Sequence, residues 1–285
     1  MVRRFVIACL GVSVAAGTPL GAGSANHSRK YAQAISQAQQ YILSRLDPKT
    51  GKCRDEYERK NPRHGGMTAL CVHALIVAGE DYRKSPVLKK AIRWIINVDL
   101  NGTYAVALRT IALSSLKDDR ARAQLQRDVK WLLKAGYADG SYTYTSANGK
   151  PPVQGDPFDN SNTQWAVLGI WSAAERGVRI PKAFWERTEH YWLSQQQPDG
   201  GWGYRTKLRG GESFARPYGS MTAAGVATLS ICYDQIARSQ IIDCTAPPEY
   251  KALMRGLRWL EKHFSVEVNP RKNLEWYYFW LFSLQ

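Results

Sequence analysis

The residues best placed to do chemistry sit in one polar stretch. Asp156, Asp159, Asn160, Asn162 and Gln164 lead directly into the apolar run from Trp165 to Ala174. Two carboxylates three residues apart could act as a general acid and base, provided the loop turns them towards each other. The same polar residues would gather at the N-terminus of the helix that the apolar run predicts. Backbone N–H groups and the helix dipole favour anions and polar ligands there. Trp165, Trp171 and Tyr144 could supply an aromatic wall. A structural use competes for these side chains. Ser161-x-x-Gln164 has the form of a capping box, with Asn162 and Asp159 as alternative caps.

A helix that is apolar on nearly every side, as Trp165 to Ala174 is, belongs inside a larger body. The rest of the chain shows what that body is. One pattern recurs about five times: a helix with an aromatic–aliphatic pair near its end, a turn, then a more apolar helix opening at or near a threonine. The passes read Tyr31 to Leu46 then Thr68 to Gly79, Val87 to Val98 then Thr103 to Leu116, and Arg122 to Ala135 then Thr163 to Ala174. They continue with Lys182 to Gln197 then Thr222 to Ile236, and Tyr250 to Phe264 then Asn273 to the C-terminus. Pro86 and Pro181 stand where helices start; Gly79, Gly136 and Gly177 stand where they stop. The first helix of each pass is amphipathic. The second is mostly small and apolar, as in Ala223-Ala224-Gly225-Val226-Ala227, and implies cover on both sides. Two layers satisfy both, with outer helices half exposed and inner helices sheathed.

Gln196-Gln197-Pro198-Asp199-Gly200-Gly201-Trp202 fits a Q-x-x-x-G-x-W repeat, and Asp139-Gly140-Ser141-Tyr142 is a degenerate copy at the matching place. In this the mature chain resembles the squalene-cyclase and prenyltransferase repeat superfamily. The resemblance implies an all-α fold: an α/α toroid of about five helical hairpins in inner and outer layers. The last helix looks cut short at Gln285. In this reading Gln196, Asp199, Gly200 and Trp202 are structural. The glycine turn lets Trp202 fold back, and Gln196 bonds exposed backbone at the helix end.

The chemistry of that superfamily is not implied along with its fold. Hopene-type cyclases carry D-x-D-D-T where a loop meets an inner helix, and its central carboxylic acid protonates an alkene. The matching register here is Asp159-Asn160-Ser161-Asn162-Thr163, with Ser161 and Asn162 where the proton donor would stand. Neither is an acid in the required range. Asp243-Cys244-Thr245-Ala246 copies most of the D-C-T-A-E sequence of the oxidosqualene cyclases. It lacks the glutamate and precedes an outer helix, outside the cavity. Cys71-x-His73 is the nearest approach to the zinc site of the prenyltransferases, but residues two apart on a helix point in different directions. No motif calls for a cofactor or metal.

Met1-Val2-Arg3-Arg4 followed by an apolar run from Phe5 to Ala16 predicts a secretory signal over residues 1–25, cleaved near Ala25, with the toroid domain at 26–285. The mature protein is then periplasmic or extracellular. Cys53, Cys71, Cys232 and Cys244 can oxidise there, and four cysteines allow three pairings. Cys71 and Cys232, in apolar helical runs, read as buried thiols. The net charge of +15 suits an anionic surface, lipid or polysaccharide, or simply a solvated exterior. No nucleic-acid motif accompanies it. The leading expectation is a non-catalytic scaffold or binding domain with an apolar or polyprenyl ligand in a central cavity. A divergent terpenoid cyclase stands second, and a polysaccharide-active α/α barrel using Asp156 and Asp159 third.

Overall fold

The helical periodicity of the sequence becomes helix throughout. The computed structural model describes residues 22–153, 155–205, 215–237 and 248–284. Among these it contains α1 (Ala22–Arg45), α2 (Gly66–Val77), α3 (Pro86–Asn97), α4 (Thr103–Ser114) and α5 (Asp119–Ala135), then α6 (Asn160–Ala174), α7 (Lys182–Gln195), α8 (Gly219–Ala237), α9 (Pro248–His263) and α10 (Tyr277–Ser283). The described residues form no strand. The apolar run of the expected signal and the Asp243–Ala246 sequence lie outside them. α1 continues through Ala25, the position at which the sequence predicts cleavage.

Burial divides the helices as their composition predicts in the middle of the chain but not at its ends. α2, largely apolar, leaves Leu70 and Val77 exposed, and in α10 Tyr278 is exposed while Trp280 is buried. α4 and α6 are buried along almost their whole length, and α8 along its first half. They pack in succession, α2 on α4, α4 on α6, α6 on α8 and α8 on α10. Small residues permit the close contact: a Cβ added at Gly169 of α6 would lie 3.0 Å from Cα of Ala107 in α4. The amphipathic helices cover this row, α3 on α2, α5 on α4 and α6, and α7 and α9 on α8. α1 departs from the pattern. Tyr31, Ile35 and Tyr41 are exposed, and the helix meets α2 only near its end, where Gln39 donates to the Ala78 carbonyl.

Three of the turns joining outer to inner helices are built alike. Gly51, Gly140 and Gly200 each have φ between 77° and 93°, a region that costs a side chain strain. Two residues later, a backbone N–H donates to the threonine Oγ1 in the first turn of the inner helix. Cys53 reaches Thr68 at 3.0 Å, Tyr142 reaches Thr163 at 3.1 Å, and Trp202 reaches Thr222 at 3.2 Å. Each turn also docks on the next outer helix. A Cβ at Gly51 would strike the backbone at Ala91, at Gly140 that of Arg187, and at Gly200 that of Arg255. Gln196 spans the same gap, donating to the carbonyls of Gly200 and Ala252. Trp202 is fully buried.

One side of the aromatic C-terminal segment packs, while Trp276 and Tyr278 are exposed. Trp280 is fully buried and donates to the Ser265 carbonyl, while Phe279 and Phe282 stack on Trp165 of α6.

Candidate functional site

The polar stretch forms the N-terminus of α6, which starts three residues earlier than its threonine suggests. Asp159 is the N-cap. One carboxylate oxygen accepts from the Asn162 backbone N–H at 2.8 Å and from the Ser161 hydroxyl at 2.6 Å; the other accepts from the Asn162 amide at 2.8 Å. The expected capping box of Ser161 and Gln164 does not form. The reason is the number of donors at this buried helix end: a carboxylate accepts more of them than a hydroxyl can. Burial nevertheless pushes the Asp159 carboxyl above its ordinary range, against those bonds and one from Tyr204.

Asn160 is a rivet. Its Oδ1 accepts from Tyr191 of α7 at 2.6 Å, its Nδ2 donates to the Gly203 carbonyl, and its own N–H donates to the Tyr204 carbonyl. With Asp159 N–H bonded to the Tyr142 carbonyl, this helix end is fastened to the turns on both sides. Both hydrogen-bonding groups of the Asn160 amide are thereby taken up inside the protein.

The carboxylates Asp156 and Asp159 stand in different surroundings. Asp156 holds its own loop through the Val153 N–H, part-exposed, while Asp159 is wholly buried. Asn162 Oδ1, Gln164 Oε1 and Trp165 Nε1 are buried without a hydrogen-bond partner. Trp165 is a core residue covered by Tyr104, Phe279 and Phe282, and Trp171 is buried as well.

Tyrosines from distant segments surround Asp159. Burial first, and then the Asp159 charge, raises the phenols of Tyr104, Tyr204 and Tyr218. Tyr204 and Tyr144 join hydroxyl to hydroxyl at 3.0 Å, and the Arg63 guanidinium lies over the Tyr144 ring. No sequence motif marks this group, because its members come from different turns. Proton donation at neutral pH would fall to phenols held high and one enclosed carboxyl. Nothing in the group is an exposed strong acid.

Two recesses are lined by residues from the C-terminal third of the chain. One, of about 320 Å³, is lined by Pro198, Asp199, Arg255, Arg258, Trp259, Lys262, His263 and Arg271. The other, of about 260 Å³, is lined by Arg216, Pro217, Tyr218, Arg271 and Lys272. They meet at Arg271, which bonds Asp199 at 3.1 Å and lies 5.0 Å over the Trp259 ring. The Asp199 carboxylate also accepts from the Trp259 indole at 2.9 Å. Burial opposes its ionisation, yet Trp259, the Gly201 N–H and Arg271 together hold its carboxyl below the usual range. Arg258 and Lys262 are exposed and make no ion pair among the described residues. The recesses are basic and aromatic, suited to an anion rather than an apolar chain.

Among the described residues, no three His, Cys, Asp or Glu side chains gather as metal ligands, and no helix is long and apolar enough to cross a membrane. Comparison with known proteins finds no matching family model, no matching characterised protein and no matching solved structure.

Proposed function

We propose that this chain is an exported α/α toroid of squalene-cyclase and prenyltransferase type that binds a ligand without converting it. The succession of inner helices, each with its outer cover, supports the toroid reading. The observation that carries the non-catalytic reading is the environment of Asp159. Both of its oxygens are taken up in holding the start of α6, and Ser161 and Asn162 occupy the neighbouring positions where a cyclase acid would stand. The separate surroundings of Asp156 and Asp159 weigh against a glycosidase pair. The basic recesses support contact with an anionic lipid or polysaccharide surface. The apolar or polyprenyl ligand rests on the resemblance alone, since Trp165 is covered by Tyr104, Phe279 and Phe282.

Incubation of the purified protein with squalene tests this directly. Binding without cyclic products is expected, and a cyclised product would overturn the reading. Cleavage of a polysaccharide that disappears in Asp159→Asn would overturn it in favour of the α/α-barrel hydrolases and lyases.

A further inference from the structure

The first of the three matching turns lacks something that the other two have. Tyr142 and Trp202 each send a side-chain donor back to the preceding outer helix, to the carbonyls of Leu132 and Trp192. The residue at that place in the first turn is Cys53, which is buried and has no such donor of useful strength. What faces this place is set by the inner helix. The threonine that receives the turn's backbone N–H is followed, one helical turn on, by a small residue: Cys71 after Thr68, Ala166 after Thr163 and Gly225 after Thr222. In the third copy the packing is direct, since a Cβ at Gly225 would come within 2.4 Å of the Trp202 ring. The same register lays Cys71 against Cys53, and both belong to the same core.

We infer that Cys53 and Cys71 are a disulfide pair, a covalent staple doing for the first turn what Tyr142 and Trp202 do for the others. Both are free thiols in this structure. Burial, followed by the neighbouring Cys53, pushes the Cys71 thiol up to about 12. In the folded protein the Cys71 thiol is therefore a slow nucleophile, and the bond forms during folding, before the turn closes over Cys53. A low-molecular-weight disulfide such as oxidised glutathione is the oxidant. One cysteine thiolate attacks it and releases one glutathione thiol. The second cysteine then displaces the other glutathione, so the chain loses two hydrogens and the oxidant becomes two thiols. Cys232 takes no part: it is buried in α8, where burial and then the Glu189 charge hold its thiol well above the ordinary range.

The test is peptide mapping without reduction, after the reduced, unfolded chain has refolded in a glutathione redox buffer. A peptide joining Cys53 to Cys71, about 2 Da lighter than the sum of its parts, is expected. It should persist when Cys232 and Cys244 are both serine. Oxidation should raise Tm by about 5–10 °C, and Cys71→Ser should abolish that gain while leaving Tm under reducing conditions nearly unchanged. Full alkylation of both thiols after oxidative refolding would overturn the assignment, as would a bond from Cys53 to Cys232 or Cys244.

Discussion

The Trp202 indole donates to the Trp192 carbonyl at 2.8 Å, and the Tyr142 phenol donates to the Leu132 carbonyl at the same distance. Each accepting residue is the fourth from the end of its helix, so each carbonyl is one that the helix itself leaves unpaired. The repeat motif is thus a helix terminator that also buries a ring. Tyr142→Phe removes only the hydroxyl and should cost about 1 kcal/mol. Trp202→Phe loses ring volume as well and should cost about 2–3 kcal/mol. Urea unfolding of the two variants checks the order.

Gly200 of these turns and Gly79 after α2 separate two costs that usually come together. Gly200 has φ near 93°, and a Cβ there would meet the Arg255 carbonyl oxygen at 2.8 Å. Gly79 has φ near 92° but nothing within 4 Å of the added atom. Gly79→Ala should then cost about 1 kcal/mol from backbone strain alone. Gly200→Ala should cost at least about 1 kcal/mol more, because the turn must back away from α9. Equal losses in thermal unfolding would show that the turn does not press on the outer helix.

Much of this was legible in advance, for identifiable reasons. Helical spacing and the Asp-Gly turns are local, so the helices and the turns at Gly140 and Gly200 can be read from neighbouring residues. The likeness of the first turn to the other two is hidden in the sequence, because Cys53 stands where an aromatic marks the others. The start of α6 stays open in the sequence because Asp159, Ser161 and Asn162 are all good caps, and only the packed structure chooses Asp159 among them. The tyrosines around Asp159 and the basic recess are assembled from residues far apart in sequence, such as Asp199, Arg258 and Arg271. Nothing in any single stretch announces them.

Asp159 gives a pH signature. Its folded pKa is raised, so its contribution to stability is fully present below the unfolded value of about 3.9 and is lost as pH rises through the folded value. Asp159→Asn removes that titration. Asparagine can still accept from the Ser161 hydroxyl and the Asn162 N–H, and reversing the Asn162 amide would turn its unpaired Oδ1 towards the new donor. The variant should lie within about 1 kcal/mol of the wild type at pH 7 and gain on it as pH rises from 4. Asp159→Ala, which leaves the helix end uncapped, should lose about 2 kcal/mol. A wild-type stability that rises between pH 4 and 7 relative to Asp159→Asn would contradict this assignment.

Arg109 and Asp128 form the most deeply buried ion pair among the described residues, with contacts of 2.6 and 2.8 Å between α4 and α5. Arg109 also donates to the carbonyls of Ile95 and Val98 at the end of α3, and Gln124 donates to Asp128. Three helices therefore meet at one guanidinium. Burial raises the Asp128 carboxyl in spite of Arg109, so the pair is costly to bring out of water even when made. Arg109→Met strands the carboxylate and two carbonyls and should cost about 3–5 kcal/mol. Asp128→Leu strands the guanidinium and should cost a similar amount. The double variant restores an apolar contact and should be less destabilised than the two losses added together, by about 2 kcal/mol or more. Additive losses in a double-mutant cycle by urea unfolding would mean that the two side chains act independently. In that case the junction of α3, α4 and α5 rests on the bonds from Arg109 to the Ile95 and Val98 carbonyls rather than on the ion pair.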